Sequence, residues 1–98
     1  MVSDACNKSN WNDVKKDCGG CKALIRHFNT RHITCEKYCV DLEMWCVNSY
    51  EETSDSCVEE LRHSCGAIVY GSLKKPSTDV ICECTTKISM SFDYFYIE

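Results

Sequence analysis

The sequence predicts an α+β fold, in which a small disulfide-rich domain packs one helix on an antiparallel sheet. Ten of the 98 residues are cysteine, a density typical of small scaffolds held together by disulfide bridges. A short helical pattern is followed by several strand-like runs that turn residues separate, which is the order expected of an α+β domain. A chain of this length has room for one core, so we expect residues 1–98 to form a single domain.

The cysteines also indicate the compartment. Their number is even, which permits five bridges and leaves no unpaired thiol, and such bridges persist in oxidising compartments. We therefore expect a secreted, extracellular protein whose signal sequence lies upstream, because no apolar signal-peptide core follows Met1. All ten cysteines are expected to be half-cystines: Cys6, Cys18, Cys21, Cys35, Cys39, Cys46, Cys57, Cys65, Cys82 and Cys84.

Charge and hydropathy argue against two kinds of partner. The net charge is −4, and the few basic residues are scattered. Nucleic-acid affinity depends on clustered cations that neutralise phosphates, so we expect no nucleic-acid partner. No run of about 18 apolar residues is present, so we expect no membrane insertion.

The first part of the chain reads as an N-terminal arm over residues 1–20, followed by a helix. Asn7-Lys8-Ser9 matches the N-glycosylation pattern, which makes Asn7 a candidate site if the chain is secreted. The residues from Cys21 to Phe28 place their apolar members on one face of a helix.

The central helix begins at Thr34, whose hydroxyl can cap the first turn. Apolar residues then recur at helical spacing, which places Cys35 and Cys39 one above the other on the core side. A strand is expected to begin near Cys46. The members of the stripe are Cys35, Tyr38, Cys39, Leu42, Trp45 and Cys46.

Strands account for most of the remainder. We expect a strand from Cys46 to Tyr50, a turn over 51–56, and a returning strand from Cys57 to Leu61. The apolar run 66–73 is predicted to be a buried strand, 74–78 a loop, and Asp79 to Cys84 a further strand. Alternating apolar residues predict a terminal strand over 88–97 with an aromatic face. They are Ile88, Met90, Phe92, Tyr94 and Tyr96.

The spacing of four cysteines suggests how helix and sheet meet. Cys82 and Cys84 project from the same face of a strand, about 6.6 Å apart, and Cys35 and Cys39 are about 6 Å apart along the helix axis. A helix lying on the sheet could therefore present two cysteines to two strand cysteines with matching spacing. A bridge needs close packing of the two elements wherever it forms.

The sequence resembles the apple/PAN modules and the apple-like domains of secreted protist and algal proteins. The resemblance covers about residues 34–84. It rests on Thr34-Cys35 with Tyr38-Cys39, Cys46-Val47, Glu51-Glu52, Asp55-Ser56-Cys57, and Asp79-Val80-Ile81-Cys82-Glu83-Cys84. It implies a helix stapled onto a small antiparallel sheet. It also implies bridges from Cys35 to Cys57 and from Cys39 to Cys46.

The same resemblance implies the remaining pairs. Cys65 would bond Cys82 or Cys84, and the other strand cysteine would hold the N-terminal segment that carries Cys6, Cys18 and Cys21.

The function that the resemblance implies is recognition of a protein or a glycan, without catalysis. Candidate contact surfaces are the 51–56 turn, the 74–78 loop and the strand Phe92–Tyr96. A secreted toxin or effector acting on a receptor is the alternative. A third possibility is a thiol–disulfide oxidoreductase that uses Cys18 and Cys21, which form a C-x-x-C motif.

Other chemistries have weaker support, and we expect no cofactor. Cys18, Cys21, His27 and His32 have zinc-ligand identities, but the gap between the cysteine pair and the histidines is too short for a finger. The acids Glu51, Glu52 and Asp55 lack the glycine and spacing of a calcium loop. The three histidines, His27, His32 and His63, have no serine on a nucleophile elbow.

Overall fold

The described residues form one antiparallel sheet and one α-helix. A computed structural model of the chain describes residues 6–70 and 77–86. The strands are β1 (Val14–Asp17), β2 (Lys22–Ile25), β3 (Met44–Glu52), β4 (Glu59–His63) and β5 (Val80–Thr86), in the order β1-β2-β5-β3-β4. Every neighbouring pair is antiparallel. The helix is α1 (Cys35–Asp41), and a 3-10 turn spans Lys8–Asn10. The expectation of a small, disulfide-rich α+β arrangement is confirmed at this level.

Helix α1 begins where the sequence predicts. Thr34 is extended, and its hydroxyl accepts a hydrogen bond from the Lys37 amide at 3.1 Å. The helix ends at Asp41, earlier than the apolar stripe suggests, because Glu43 takes a positive φ of 62° that breaks the helical path. Strand β3 then starts at Met44.

Two disulfide bridges hold α1 on the sheet. Cys35 bonds Cys82 and Cys39 bonds Cys84, with Cα–Cα distances of 5.4 and 5.7 Å. All four residues are buried, since β5 lies in the middle of the sheet directly beneath the helix. The helix–strand spacing match seen in the sequence is therefore used in both bridges.

The pairing implied by the apple/PAN resemblance is wrong at every bridge. Cys57 lies at the entrance to β4 and bonds Cys18 instead of Cys35, because the segment before β4 crosses to the turn between β1 and β2. All ten cysteines are nevertheless bridged, as expected. The five pairs are Cys6–Cys21, Cys18–Cys57, Cys35–Cys82, Cys39–Cys84 and Cys46–Cys65.

Three sequence-based elements also need correction. The predicted helix from Cys21 to Phe28 is instead β2, and the predicted arm 1–20 contributes the edge strand β1. Residues 66–70 contain no continuous strand: Tyr70 alone makes an isolated β-pairing. Ile68 is exposed. Residues 71–73 of that run and the predicted strand 88–97 lie outside the described residues.

The face of the sheet opposite α1 is crossed by the segment between β3 and β4. Besides the Cys18–Cys57 bridge, Asp55 binds the Lys15 ammonium at 2.9 Å and Glu59 pairs with Lys22. These contacts join the two edges of the sheet, since β1 and β4 are its outermost strands.

Candidate functional site

The loop between β2 and α1, Arg26–Thr34, has the most unusual backbone of the described residues. His27 at its start is left-handed, with φ 59° and ψ 31°. Phe28–His32 then form a π-helical turn, closed by a 2.8 Å bond from the Ile33 amide to the Phe28 carbonyl. Isolated π-helical turns occur frequently at functional sites.

Ile33 ends this loop in a strained γ-turn. Its φ of 72° and ψ of −52° accompany a 2.8 Å bond from the Thr34 amide to the His32 carbonyl, which is the i to i+2 pattern of the rare γ-turn with positive φ. A β-branched residue is especially unfavourable there. Such strain costs about 1–3 kcal/mol and concentrates at binding and active sites.

Contacts beneath the loop hold this conformation. His32 is buried, its Nε2 lies 2.8 Å from an Asp13 carboxylate oxygen, and its ring packs edge-on against Tyr38 at 4.8 Å between centroids. The Tyr38 hydroxyl donates to the Asn12 carbonyl at 2.5 Å. Burial raises the pKa of Tyr38, so this donor keeps its proton. The Phe28 amide donates to the Thr78 carbonyl at 2.8 Å.

The charges around Asp13 set its ionisation. Burial acts to raise the pKa of Asp13, but the hydrogen bond from His32 and the positive charge of Arg31 outweigh it. The pKa therefore lies below its ordinary value, and the carboxylate is charged at neutral pH. Arg31 reaches the same carboxylate at 3.1 Å, although its side chain is largely exposed.

Two clefts adjoin the loop and share Asn29. One is apolar, encloses about 110 Å³, and is lined by Phe28, Asn29, Ile33, Ile68, Val69 and Ser77. The other is polar and more open, with a volume of about 360 Å³. Its lining residues are Lys15, Arg26, His27, Asn29, Thr30, Thr78 and Asp79. Concave surfaces that combine an apolar part with a few polar groups are the usual form of binding sites.

The two cations of the polar cleft differ in their partners. Lys15 binds Asp79 and Asp55, both at 2.9 Å. The Asp79 hydrogen bond is the main reason that the pKa of Lys15 is raised, and Lys15 lowers the pKa of Asp55 in return. Arg26 is exposed, and its guanidinium donates to the Val14 carbonyl at 3.3 Å. Arg26 thus keeps most of its donors for a ligand.

Of the three contact surfaces predicted from sequence, the described part of the 74–78 loop, residues 77–78, lines these clefts, and residues 74–76 lie outside the described residues. Ser77, from the 74–78 loop, lines the apolar cleft, and Thr78 lines the polar cleft. Asp55, from the 51–56 turn, reaches the polar cleft through Lys15. The strand Phe92–Tyr96 lies outside the described residues.

Sequence reasoning missed the Arg26–Thr34 loop itself. Its one signal is composition, since it contains two arginines and two histidines and no acid, in a chain whose net charge is −4.

The C-x-x-C cysteines do not bond each other. Cys18 bonds Cys57 and Cys21 bonds Cys6, whereas a redox motif cycles a bridge within the motif. Both sulfurs are also unavailable as thiolate zinc ligands, and the ring of His32 lies 2.8 Å from an Asp13 carboxylate oxygen. The residues described here contain no cluster of three or more metal-ligating side chains.

Ser49, His63 and Glu51 form a row on the helix side of the sheet, in a serine–histidine–acid combination. Ser49 pairs in register with His63, whose Nε2 lies 4.0 Å from a Glu51 oxygen. The Ser49 hydroxyl and the His63 Nε2 are both buried without a hydrogen-bond partner. Ser49 has no exposed surface, so a substrate cannot reach its hydroxyl and the row is not an active site.

The three acids of the 51–56 turn and the candidate glycosylation residue Asn7 all lie within the described residues. Glu51, Glu52 and Asp55 turn to different partners, namely His63, the Ser56 amide and Lys15. Asn7 is exposed and accepts hydrogen bonds from the amide and the hydroxyl of Ser9, at 3.1 and 2.8 Å.

Comparisons of this chain with protein-family models, with curated proteins and with solved structures find no match. Among the described residues, no helix has the length and apolar character needed to span a membrane. Five bridges in a chain of this size are typical of extracellular proteins.

Proposed function

We propose that this protein is a secreted recognition module that binds a protein or glycan partner through the Arg26–Thr34 loop and the two clefts beside it. It catalyses no reaction in this proposal. The arrangement of a helix on an antiparallel sheet is also what the apple/PAN resemblance implies, and that resemblance remains a proposal at the level of architecture.

The observation that carries the proposal is the strained, exposed loop between the two clefts. A γ-turn at a β-branched residue persists only where the surrounding contacts impose it. Here His32, Phe28 and Tyr38 hold the loop from below, while Ile33 is 40% exposed above. Packing gains less from a strained residue that stays 40% exposed than from a fully buried one, which favours a role in contact with a partner.

Rigidity gives such a surface an advantage in binding. Thr34, which ends the loop, is the cap of α1, and α1 is fixed to β5 by two bridges. A loop held in its bound conformation pays less ordering entropy on association.

The experiment is a binding screen with the oxidised protein against one array that carries neutral saccharides, acidic saccharides and peptides. We expect a reproducible set of bound probes whose signal falls in Arg26→Ala. The matched control is Arg62→Ala, which removes an exposed arginine from the edge strand β4, away from the loop. If no probe binds, or if both variants lower the signal equally, the loop is not the recognition surface.

A further inference from the structure

We infer that the partner is an acidic protein segment, which places one aliphatic side chain in the apolar cleft and an adjacent carboxylate at Arg26. This inference rests on the proposed function and specifies its ligand. Three features of the two clefts support it: the size of the apolar cleft, the charge of the loop and the position of Asn29.

The apolar cleft has the size and lining of a socket for a single side chain. About 110 Å³ is too small for a drug-sized ligand and is close to the volume of one leucine or isoleucine side chain. Phe28 and Val69 form its buried part, whereas Ile33 and Ile68 are 40% and 41% exposed. Filling the cleft would cover the parts of both side chains that line it, which is favourable in proportion to the apolar area buried.

The charge of the loop identifies the neighbouring residue of the partner. Arg26–Thr34 carries two arginines and no acid, although the chain as a whole has a net charge of −4. Arg31 is committed in part to Asp13. Arg26 lines the polar cleft with His27, and both are exposed. A guanidinium binds a carboxylate with two parallel hydrogen bonds, which a neutral amide cannot match.

Asn29 connects the two subsites because it lines both clefts. Its carboxamide offers a donor and an acceptor, which match the carbonyl and amide of one peptide unit. Peptide fits better than saccharide because the apolar cleft suits an aliphatic side chain, which a saccharide lacks.

The test uses an array of short synthetic peptides that differ at two adjacent positions. One position is leucine or serine, and the other is glutamate, glutamine or lysine. We expect binding to the leucine–glutamate peptides, with a loss of roughly tenfold or more when either position is changed.

Two protein variants test the apolar cleft. Ile33→Gly removes one wall of the cleft and relieves the positive φ of the γ-turn, and we expect roughly tenfold weaker binding of the leucine–glutamate peptide. Ile68→Ser should weaken binding similarly without relief of strain. Glu43→Gly is the matched control, since it relieves a positive φ of 62° at the end of α1 and should leave binding unchanged.

The outcomes separate this inference from the proposed function. Binding of glutamine or lysine peptides as strong as that of glutamate peptides would overturn the inference. Binding to saccharides alone, reduced in Arg26→Ala, would overturn the peptide assignment while supporting recognition by the loop. Binding to neither class of probe would overturn both.

Discussion

At the scale of single residues, Asp13 is the main anchor of the loop. Its carboxylate binds the buried His32 at 2.8 Å and Arg31 at 3.1 Å, and its own backbone has a φ of 56°. We expect Asp13→Asn to lower the free energy of unfolding by about 1–1.5 kcal/mol, the difference between a hydrogen bond to a charged group and one to a neutral amide. Asparagine tolerates positive φ, so the backbone should be unaffected. Chemical denaturation measures the change, and a cost below about 0.5 kcal/mol would contradict the role of Asp13 as an anchor.

The pH dependence of that variant has a defined sign. The pKa of Asp13 is lowered in the folded state from an ordinary value of 3.8. Its contribution to stability is therefore complete above about pH 3.8 and is lost as the pH falls through the lower, folded-state pKa. The difference in melting temperature between the wild type and Asp13→Asn should therefore be smaller below pH 3.8 than at pH 5. A difference that instead grows in acid would contradict this assignment.

Asn7 gives a second test at this scale. Its side chain is exposed, and its oxygen accepts from the Ser9 hydroxyl at 2.8 Å. Expressed through a eukaryotic secretory pathway, the protein should carry an N-glycan at Asn7. Ser9→Ala should abolish the glycan and Ser9→Thr should retain it, as intact mass will show. An unmodified mass in the secreted wild type would remove Asn7 as a modification site.

Single residues differ in how far the sequence predicts them. Thr34 was identified as a helix cap because a threonine before a helical stripe has one favoured use. The positive φ of Ile33 has no local signal, since isoleucine strongly disfavours that region. It arises from contacts of Phe28 and His32 with distant parts of the chain, which a single sequence does not reveal.

At the scale of elements, β2 shows why a short apolar run is ambiguous. Ala23, Leu24 and Ile25 are all buried, because α1 lies over one face of the sheet and the segment before β4 crosses the other. A strand covered on both faces loses the alternation that identifies strands. Its consecutive apolar residues then match a helical face equally well. The strand predicted from Asp79 to Cys84 corresponds to β5 in spite of similar burial.

The two bridges of α1 should act together and not independently. They span 47 and 45 residues and lie side by side, so either one already closes the long loop. The second then closes a loop of only about seven residues, worth about 2–3 kcal/mol in the chain-entropy description, against about 4 kcal/mol for the long loop. Cys35→Ala with Cys82→Ala should therefore cost about 2–3 kcal/mol, as should Cys39→Ala with Cys84→Ala.

Removal of both bridges should cost about 6.4 kcal/mol, which exceeds the sum of the two single removals, about 4.8 kcal/mol when each costs about 2.4 kcal/mol. Guanidinium unfolding of the three variants measures this coupling. If the two single costs add up to the cost of the combined variant, each bridge constrains the unfolded chain independently. That result would contradict the prediction that either bridge alone closes the long loop. A helix of seven residues has little stability of its own, so α1 should be lost in the combined variant.

At the scale of the whole molecule, the order of strands decides which cysteines meet. β5, the last described strand in the sequence, lies between β2 and β3 and receives both bridges from α1. Cysteine spacing alone allows many pairings, and the pairing that the apple/PAN resemblance implies would place β4 beneath the helix. The disulfide class and the use of every cysteine follow from composition, whereas connectivity depends on this long-range strand order.

The Cys18–Cys57 bridge joins the two edges of the sheet, and its removal should release one segment without unfolding the molecule. Without it, Lys15–Asp55 and Lys22–Glu59 hold that segment. Ion pairs that solvent reaches contribute little to stability, because water and salt screen their attraction. In Cys18→Ala with Cys57→Ala, a glutamate-specific protease should cut rapidly after Glu52 and Glu59, while α1 and β5 stay joined by their own two bridges. Cys6→Ala with Cys21→Ala is the control and should leave both sites protected.

Equal resistance of the two variants to the protease would show that the ion pairs alone hold the segment in place. Cleavage throughout the chain would show that closure of the sheet is needed for the fold itself.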